Sequence, residues 1–105
     1  MKAVIGSTVV AEAPTDDLVT IEGNWYFPPA SLVEGAFEKS PTKYHCPWKG
    51  DAQYWNVGTG DDIAIDGAWS YPEPLDGAAD RVGQDFGGYV AFDKSQVTIS
   101  ARTAR

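Results

Sequence analysis

Residues 43–55, KYHCPWKGDAQYW, gather the chain's single histidine and single cysteine with two of its four tryptophans and two of its five tyrosines. Within them His-Cys-Pro-Trp-Lys-Gly reads as a β-turn. Pro47 suits position i+1, and Gly50 can take the positive φ that often follows such a turn. Cys46 and Lys49 then mark the turn's ends, with Cα atoms within about 7 Å. At that range an ammonium favours the thiolate, which makes Cys46 a candidate catalytic nucleophile and Lys49 its charged assistant. The competing reading is structural: a lone cysteine is ordinarily a small buried hydrophobe, here at a strand end, with Lys49 reaching into solvent.

His45 has a pKa near neutrality and could act as acid or base. On an extended strand, however, neighbouring side chains point to opposite faces, so His45 and Cys46 diverge and do not form a nucleophile–base pair. One Cys and one His fall short of the four ligands of a structural zinc site. Asp61, Asp62 and Asp66 flank one predicted strand, but their spacing matches no calcium loop and they read as solvated turn residues. GTGDD and GQDFGG lack both the P-loop and the dinucleotide-binding context. No metal and no cofactor is expected.

The remaining chemical signal is aromatic density: Trp25, Tyr26, Phe27, Trp48, Tyr54, Trp55, Trp69 and Tyr71 recur at strand ends or near turns. Core packing accounts for most of them. Tyr26, Trp48, Tyr54, Trp69 and Tyr71, beside prolines, are the candidates for lining a shallow pocket in which a small apolar or cationic ligand could stack.

Short β-rich runs must position these residues. AVI and TVVAEA form an opening hairpin around Gly6-Ser7, with Val9 and Ala11 on one face and Val10 and Glu12 on the other. Glu22-Gly23-Asn24 turns Val19–Ile21 back into Trp25–Phe27. After Pro28-Pro29, Ser31 and Glu34 have capping-box spacing ahead of Leu32, Val33, Ala36 and Phe37, which predicts a helix from about Ala30 to Lys39. AQYWNV and DIAIDGAWSY, separated by Gly58-Thr59-Gly60, predict a hairpin carrying Tyr54 and Trp55 opposite Ile63 and Ile65, with a further turn at Asp66-Gly67. Residues 72–88 read as loop, with a helical turn allowed in LDGAADRV. GYVAFD and QVTISAR close the chain as strands joined around Lys94-Ser95, Val97 and Ile99 sharing a face. The expected fold is mainly β with one short α-helix, an antiparallel sheet or small open barrel in a single domain, residues 1–105.

Composition narrows the function classes. The 105 residues suit one domain, and 43% hydrophobic with 22% charged residues is an ordinary globular balance. Fifteen acidic against eight basic residues give a net charge of −7, which repels phosphate backbones and anionic lipid, so neither nucleic acid nor membrane is an expected partner. One cysteine, no signal peptide at the start and no membrane-spanning run lead to the expectation of a soluble, cytoplasmic protein.

Taken together, YFP at 26–28, CPWKGDAQYW at 46–55, AWSYPEP at 68–74 and GYVAFD at 88–93 resemble the bacterial and fungal domain of unknown function catalogued as number 427, over nearly the whole chain. The resemblance implies a compact, mostly antiparallel β domain of this length. It directs attention to Tyr26, Pro28, Cys46, Pro47, Lys49, Gly50, Tyr54, Trp69 and Tyr71, which carry the motif words. His45 departs from the small or hydroxyl residue expected before Cys-Pro. The nucleotidyltransferase-like label attached to the family finds no support in these residues, because that chemistry needs carboxylates holding two metals and a phosphate loop. Three readings follow: a module binding a small molecule or peptide beside the Cys46–Gly50 turn, with Lys49 attracting anionic groups; an enzyme with Cys46 as nucleophile, assisted by Lys49 and Tyr54; and an interaction module forming a homodimer through an edge strand.

Overall fold

The computed structural model describes residues 1–101. Its opening hairpin pairs β1 (Lys2–Ile5) with β2 (Thr8–Glu12) across Gly6-Ser7. A bulge shifts the register between Ala3/Val4, so that Val10 and Ala11 are both buried. The simple alternation expected for this strand fails there, because an extra residue on one strand turns consecutive side chains toward the same side. β3 (Val19–Ile21) and β4 (Asn24–Tyr26) form the second predicted hairpin, with Glu22-Gly23 as its two-residue turn.

No helix forms over 30–39. Pro29–Ser31 is a single 3-10 turn, and the Ser31 hydroxyl donates back to the Pro28 carbonyl at 2.6 Å instead of capping forward. Gly35 sits at φ 86 and Phe37 already begins a strand. The backbone of this segment has better partners elsewhere: Val33 N–H donates to Val10 C=O at 2.9 Å, and Gly58 N–H to Ala36 C=O at 2.9 Å. A mid-segment glycine costs a helix about 1 kcal/mol, and the open sheet edges supply the hydrogen bonds that a short isolated helix would have had to make alone.

The main sheet has the order β5-β6-β7-β8, with β5 Phe37–Cys46, β6 Gly50–Thr59, β7 Asp62–Ser70 and β8 Val90–Phe92. Thr59 pairs with Asp62, so the turn lies one residue later than Gly58-Thr59-Gly60 suggested. Tyr54 therefore faces Trp69 and Trp55 faces Ala68, while Ile63 lies opposite Gly58. Asp66-Gly67 is not a turn. β7 runs through it, and Asp66 at φ 52 occupies a register shift between Trp55/Val57 on β6. Among the described residues one element is an α-helix, α1 (Ala78–Val82), in the segment where a helical turn was allowed. β9 (Thr98–Ser100) pairs with β1 rather than with β8, and Val97 and Ile99 pack into the core together.

The pairings sort the main sheet's side chains by face. Trp55, Val57, Ala64, Ala68 and Phe92 join β1 and β2 in one apolar cluster. Tyr44 opposite Ala52, Tyr54 opposite Trp69, and Trp69 opposite Ala91 share the other face at this end of the sheet, with Cys46 and Tyr71 two positions along. A second cluster of Tyr26, Cys46, Tyr71, Phe86 and Ala91 forms there. Phe27 and Val90 exchange backbone hydrogen bonds at 2.7 and 2.9 Å, which fixes the β3–β4 hairpin beside β8. The architecture is thus mostly antiparallel β with one short helix.

The free edge of the main sheet is β5, and it is poorly suited to pairing with a second copy. It carries Pro41, Lys39 and Lys43 and breaks register between Lys39/Lys43; prolines, lysines and bulges are the usual guards of an edge. Sedimentation at low and high concentration is expected to give one monomeric species, and a concentration-dependent dimer would show that β5 or another edge pairs despite them.

Candidate functional site

The Cys46–Gly50 connection joins β5 to β6, with Cys46 and Gly50 paired and Pro47-Trp48-Lys49 as its three-residue loop. Gly50 lies at φ 111, the positive value expected there, and a Cβ on it would stand 3.3 Å from Leu75 Cγ and 3.4 Å from the Glu73 carbonyl. Leu75 N–H donates to the Lys49 carbonyl at 3.0 Å. Residues 73–75 thus clamp the loop from outside, which sends the Lys49 side chain inward.

Inside lies a hollow of about 430 Å³ lined by Tyr26, Cys46, Trp48, Lys49, Tyr54, Trp69 and Tyr71, together with Glu22, Asn24, Tyr44 and Pro47. Every residue singled out from the sequence as catalytic or ligand-binding therefore borders the same space. Trp48 comes from the loop; Tyr54, Trp69 and Tyr71 share the sheet face; Tyr26 comes from β4. The Trp69 indole N–H donates to the Tyr26 hydroxyl at 3.0 Å, tying the hairpin to the sheet across the hollow. Burial pushes the Tyr26 phenol above the usual tyrosine range although this hydrogen bond opposes it, and burial does the same to Tyr54 and Tyr71. These phenols are donors and acceptors at neutral pH, not bases.

Lys49 does not reach into solvent. It is only 6% exposed, and its Nζ stands 5.1 Å from the Trp48 ring centroid and 5.3 Å from that of Tyr71, within cation–π range. Its ion-pair partner is Glu22, whose carboxylate accepts from the Lys49 ammonium. Burial disfavours the charged amine, but the Glu22 hydrogen bond and charge, joined in the alkaline range by Tyr26 and Cys46 as they ionise, outweigh it, so the Lys49 pKa rises above the usual lysine range. The Lys49 hydrogen bond is also the chief reason that the Glu22 carboxyl falls below its ordinary value, with Arg81 and Trp48 adding to it against the effect of burial. Arg81 on α1 lies over the Trp48 ring, 4.6 Å from its centroid.

Cys46 is a free thiol, 6% exposed, at the strand end. His45 lies outside the hollow, its exposed Nδ1 paired with Asp51 Oδ1 at 2.7 Å. The opposed orientation expected of neighbours on a strand is what separates them. A second hollow of about 350 Å³ lies beside Lys43, Asp51, Pro72 and Glu73, but those side chains are exposed and place no buried charge on it. Among the described residues, no group of three or more His, Cys, Asp or Glu is placed to hold a metal ion, and no helix is long and apolar enough to cross a membrane.

Two contributors escaped the sequence reading. Phe86, from the stretch read as loop, is fully buried and stands edge-on to three walls of the hollow: its centroid lies 6.3 Å from Tyr26, 6.5 Å from Trp48 and 6.3 Å from Tyr71. Glu22 was read only as part of a turn. Its signal was present, since a two-residue hairpin turn with positive φ at both positions wants Asn or Asp before Gly, and here Glu22 is held at φ 53 ahead of Gly23 at φ 82.

Fold and site together define a small antiparallel β domain with an aromatic hollow built around a buried lysine. The model of the family described as a domain of unknown function (DUF427) matches residues 1–103, and the chain belongs to that family. No curated protein matches the chain.

Two predictions follow from this geometry. Phe86→Ala removes the buried brace of three aromatic walls and should cost about 3–5 kcal/mol of unfolding free energy in urea; a loss below about 1 kcal/mol would mean that the walls stand without it. The ion pair sets a pH window. Glu22, with a lowered folded-state pKa, lends stability above the unfolded glutamate range and loses it as pH falls through the folded value; Lys49, with a raised one, lends stability below the unfolded lysine range and loses it as pH rises through the folded value. The stability difference between wild type and Glu22→Gln should be flat from about pH 6 to 9 and change only outside that range. Although the Glu22 side chain is 58% exposed, the Lys49 ammonium that it leaves unpaired is not, so the loss on this plateau should exceed the roughly 0–1 kcal/mol of a fully exposed pair.

Proposed function

We propose that this domain binds a small planar molecule carrying an anionic group, with the ring against the aromatic walls and the anion at Lys49. The observation that carries this reading is the Lys49 ammonium, withdrawn from water between the Trp48 and Tyr71 faces on the wall of a hollow of about 430 Å³. A small molecule suits that volume better than a peptide does. The ion pair with Glu22 keeps the amine protonated, which favours an electrostatic anchor over a lysine that attacks carbonyl groups, because that chemistry needs the neutral amine.

The net charge of −7 opposes an anionic ligand at long range, but beyond a Debye length of about 8 Å it is largely screened. At about 4 Å from the Lys49 ammonium the attraction reaches about 4 kcal/mol for an effective dielectric constant near 20. The Glu22 carboxylate in contact with it cancels most of that, so the local cation dominates once Glu22 moves aside.

The second reading, Cys46 as nucleophile, draws on the sulfur's place on the same hollow. Against it stand the burial of the thiol and the commitment of Lys49 to Glu22. Alkylation of the native protein at the rate of a free thiol, with its midpoint shifted to acid, would favour the enzyme reading.

Titration with phenyl phosphate and with benzylammonium, followed by tryptophan fluorescence, tests the binding module. Phenyl phosphate should bind and benzylammonium should not. Lys49→Met should weaken phenyl phosphate by at least about tenfold, or 1.4 kcal/mol, while leaving the fold intact, because an apolar chain fills the same space and the Glu22 carboxylate left behind is exposed enough to be hydrated. Equal binding of the two probes, or unchanged binding to Lys49→Met, would sink this reading.

A further inference from the structure

The turn that carries Glu22 is built against its own preference. Both of its residues have positive φ, a geometry that glycine and asparagine adopt readily and glutamate does not. The carboxylate so presented is more than half exposed, yet it ends on an ammonium that is almost fully buried. It approaches Lys49 from the rim of the hollow, with Arg81 close enough to act on it electrostatically. An anion that reached the ammonium from this side would compete with the carboxylate for it.

We infer that Glu22 is a seat-holder: its carboxylate occupies the position of the ligand's anionic group, and binding exchanges one partner of Lys49 for the other. This rests on the anion-binding reading above and adds the class of ligand. A monoanionic carboxylate offers Lys49 no more charge than Glu22 already does. A phosphate monoester carries about −1.5 to −2 at neutral pH and three acceptor oxygens, so it offers Lys49 more than Glu22 does and can displace it. The displaced side chain needs no new pocket, since it moves into water. The buried ammonium is never left without a counter-charge, which would be the costly state.

The test titrates phenyl phosphate and benzoate into wild type, Glu22→Gln and Glu22→Asn, again by tryptophan fluorescence. Gln keeps the side chain's shape without its charge; Asn removes the reach to Lys49 and restores a residue that the turn prefers, which offsets part of the cost of the unpaired ammonium. Phenyl phosphate should bind wild type more tightly than benzoate does, and both probes should tighten at least about tenfold in each folded variant, corresponding to 1.4 kcal/mol. If phenyl phosphate binds wild type but its affinity is unchanged or weaker in either folded variant, Glu22 does not hold the seat and the anion pocket stands without it. Benzoate binding wild type as tightly as phenyl phosphate overturns the choice of phosphate monoesters. Absence of binding to all three proteins overturns the pocket reading and the exchange together.

Discussion

An ammonium group taken out of water must keep counter-charge or aromatic faces against it, and in this domain Lys49 has both. The Glu22 carboxylate meets the amine, and the rings of Trp48 and Tyr71 stand on either side of it. That requirement explains features that otherwise look unrelated. The loop from Pro47 to Lys49 is pinned from outside by the Leu75 N–H; the β3–β4 hairpin is locked to β8 by the Phe27–Val90 pair; and Phe86 braces the walls from behind. Each holds one of the groups around the charge, and they come from segments far apart in the chain.

The main sheet makes this arrangement compatible with a small core. One face supplies the larger apolar cluster and is covered by β1 and β2, whereas the other carries the hollow's aromatics. Tyr54 and Trp69 are directly opposed across neighbouring strands, a tilted ring pair with centroids 6.3 Å apart. Apolar burial on one face can thus hold the sheet while the other keeps a space open. At Lys49 a strained non-glycine backbone, which costs about 1–3 kcal/mol, is set against the larger cost of leaving a buried ammonium without counter-charge, and Glu22 is held at φ 53 where it supplies that charge.

The hollow's lining was legible in the sequence because strand alternation and turn chemistry are local. Cys46, Tyr54, Trp69 and Tyr71 reach one face through a period of two, and Gly50 takes its positive φ because the turn before it asks for one. What was illegible depended on distant partners. Ser31 and Glu34 have a helix-start spacing, but the backbone of that segment bonds to Val10 and Gly58, which no local pattern announces. The register of β6 against β7 slipped because the turn sits at Gly60-Asp61 and Asp66-Gly67 is absorbed inside a strand. Lys49 was given two orientations, and only the Glu22 carboxylate, 27 residues away, decides between them.

Among the described residues two non-glycines have positive φ, Glu22 and Asp66, and they differ in what holds them there. Asp66 lies in a register shift of the main sheet. Its N–H donates to Asn56 Oδ1 at 2.9 Å and its Oδ2 accepts from the Thr42 hydroxyl at 2.7 Å. Those partners belong to the same sheet, Asn56 to the adjacent β6 and Thr42 to β5 beyond it, and aspartate is among the residues that tolerate this conformation. Its geometry is therefore explained by the sheet that it sits in. Glu22 has neither, since its side chain leaves its own hairpin to reach Lys49 in the loop between β5 and β6. Its backbone conformation therefore answers to a distant partner, the buried ammonium that needs a counter-charge, and not to the turn in which it sits.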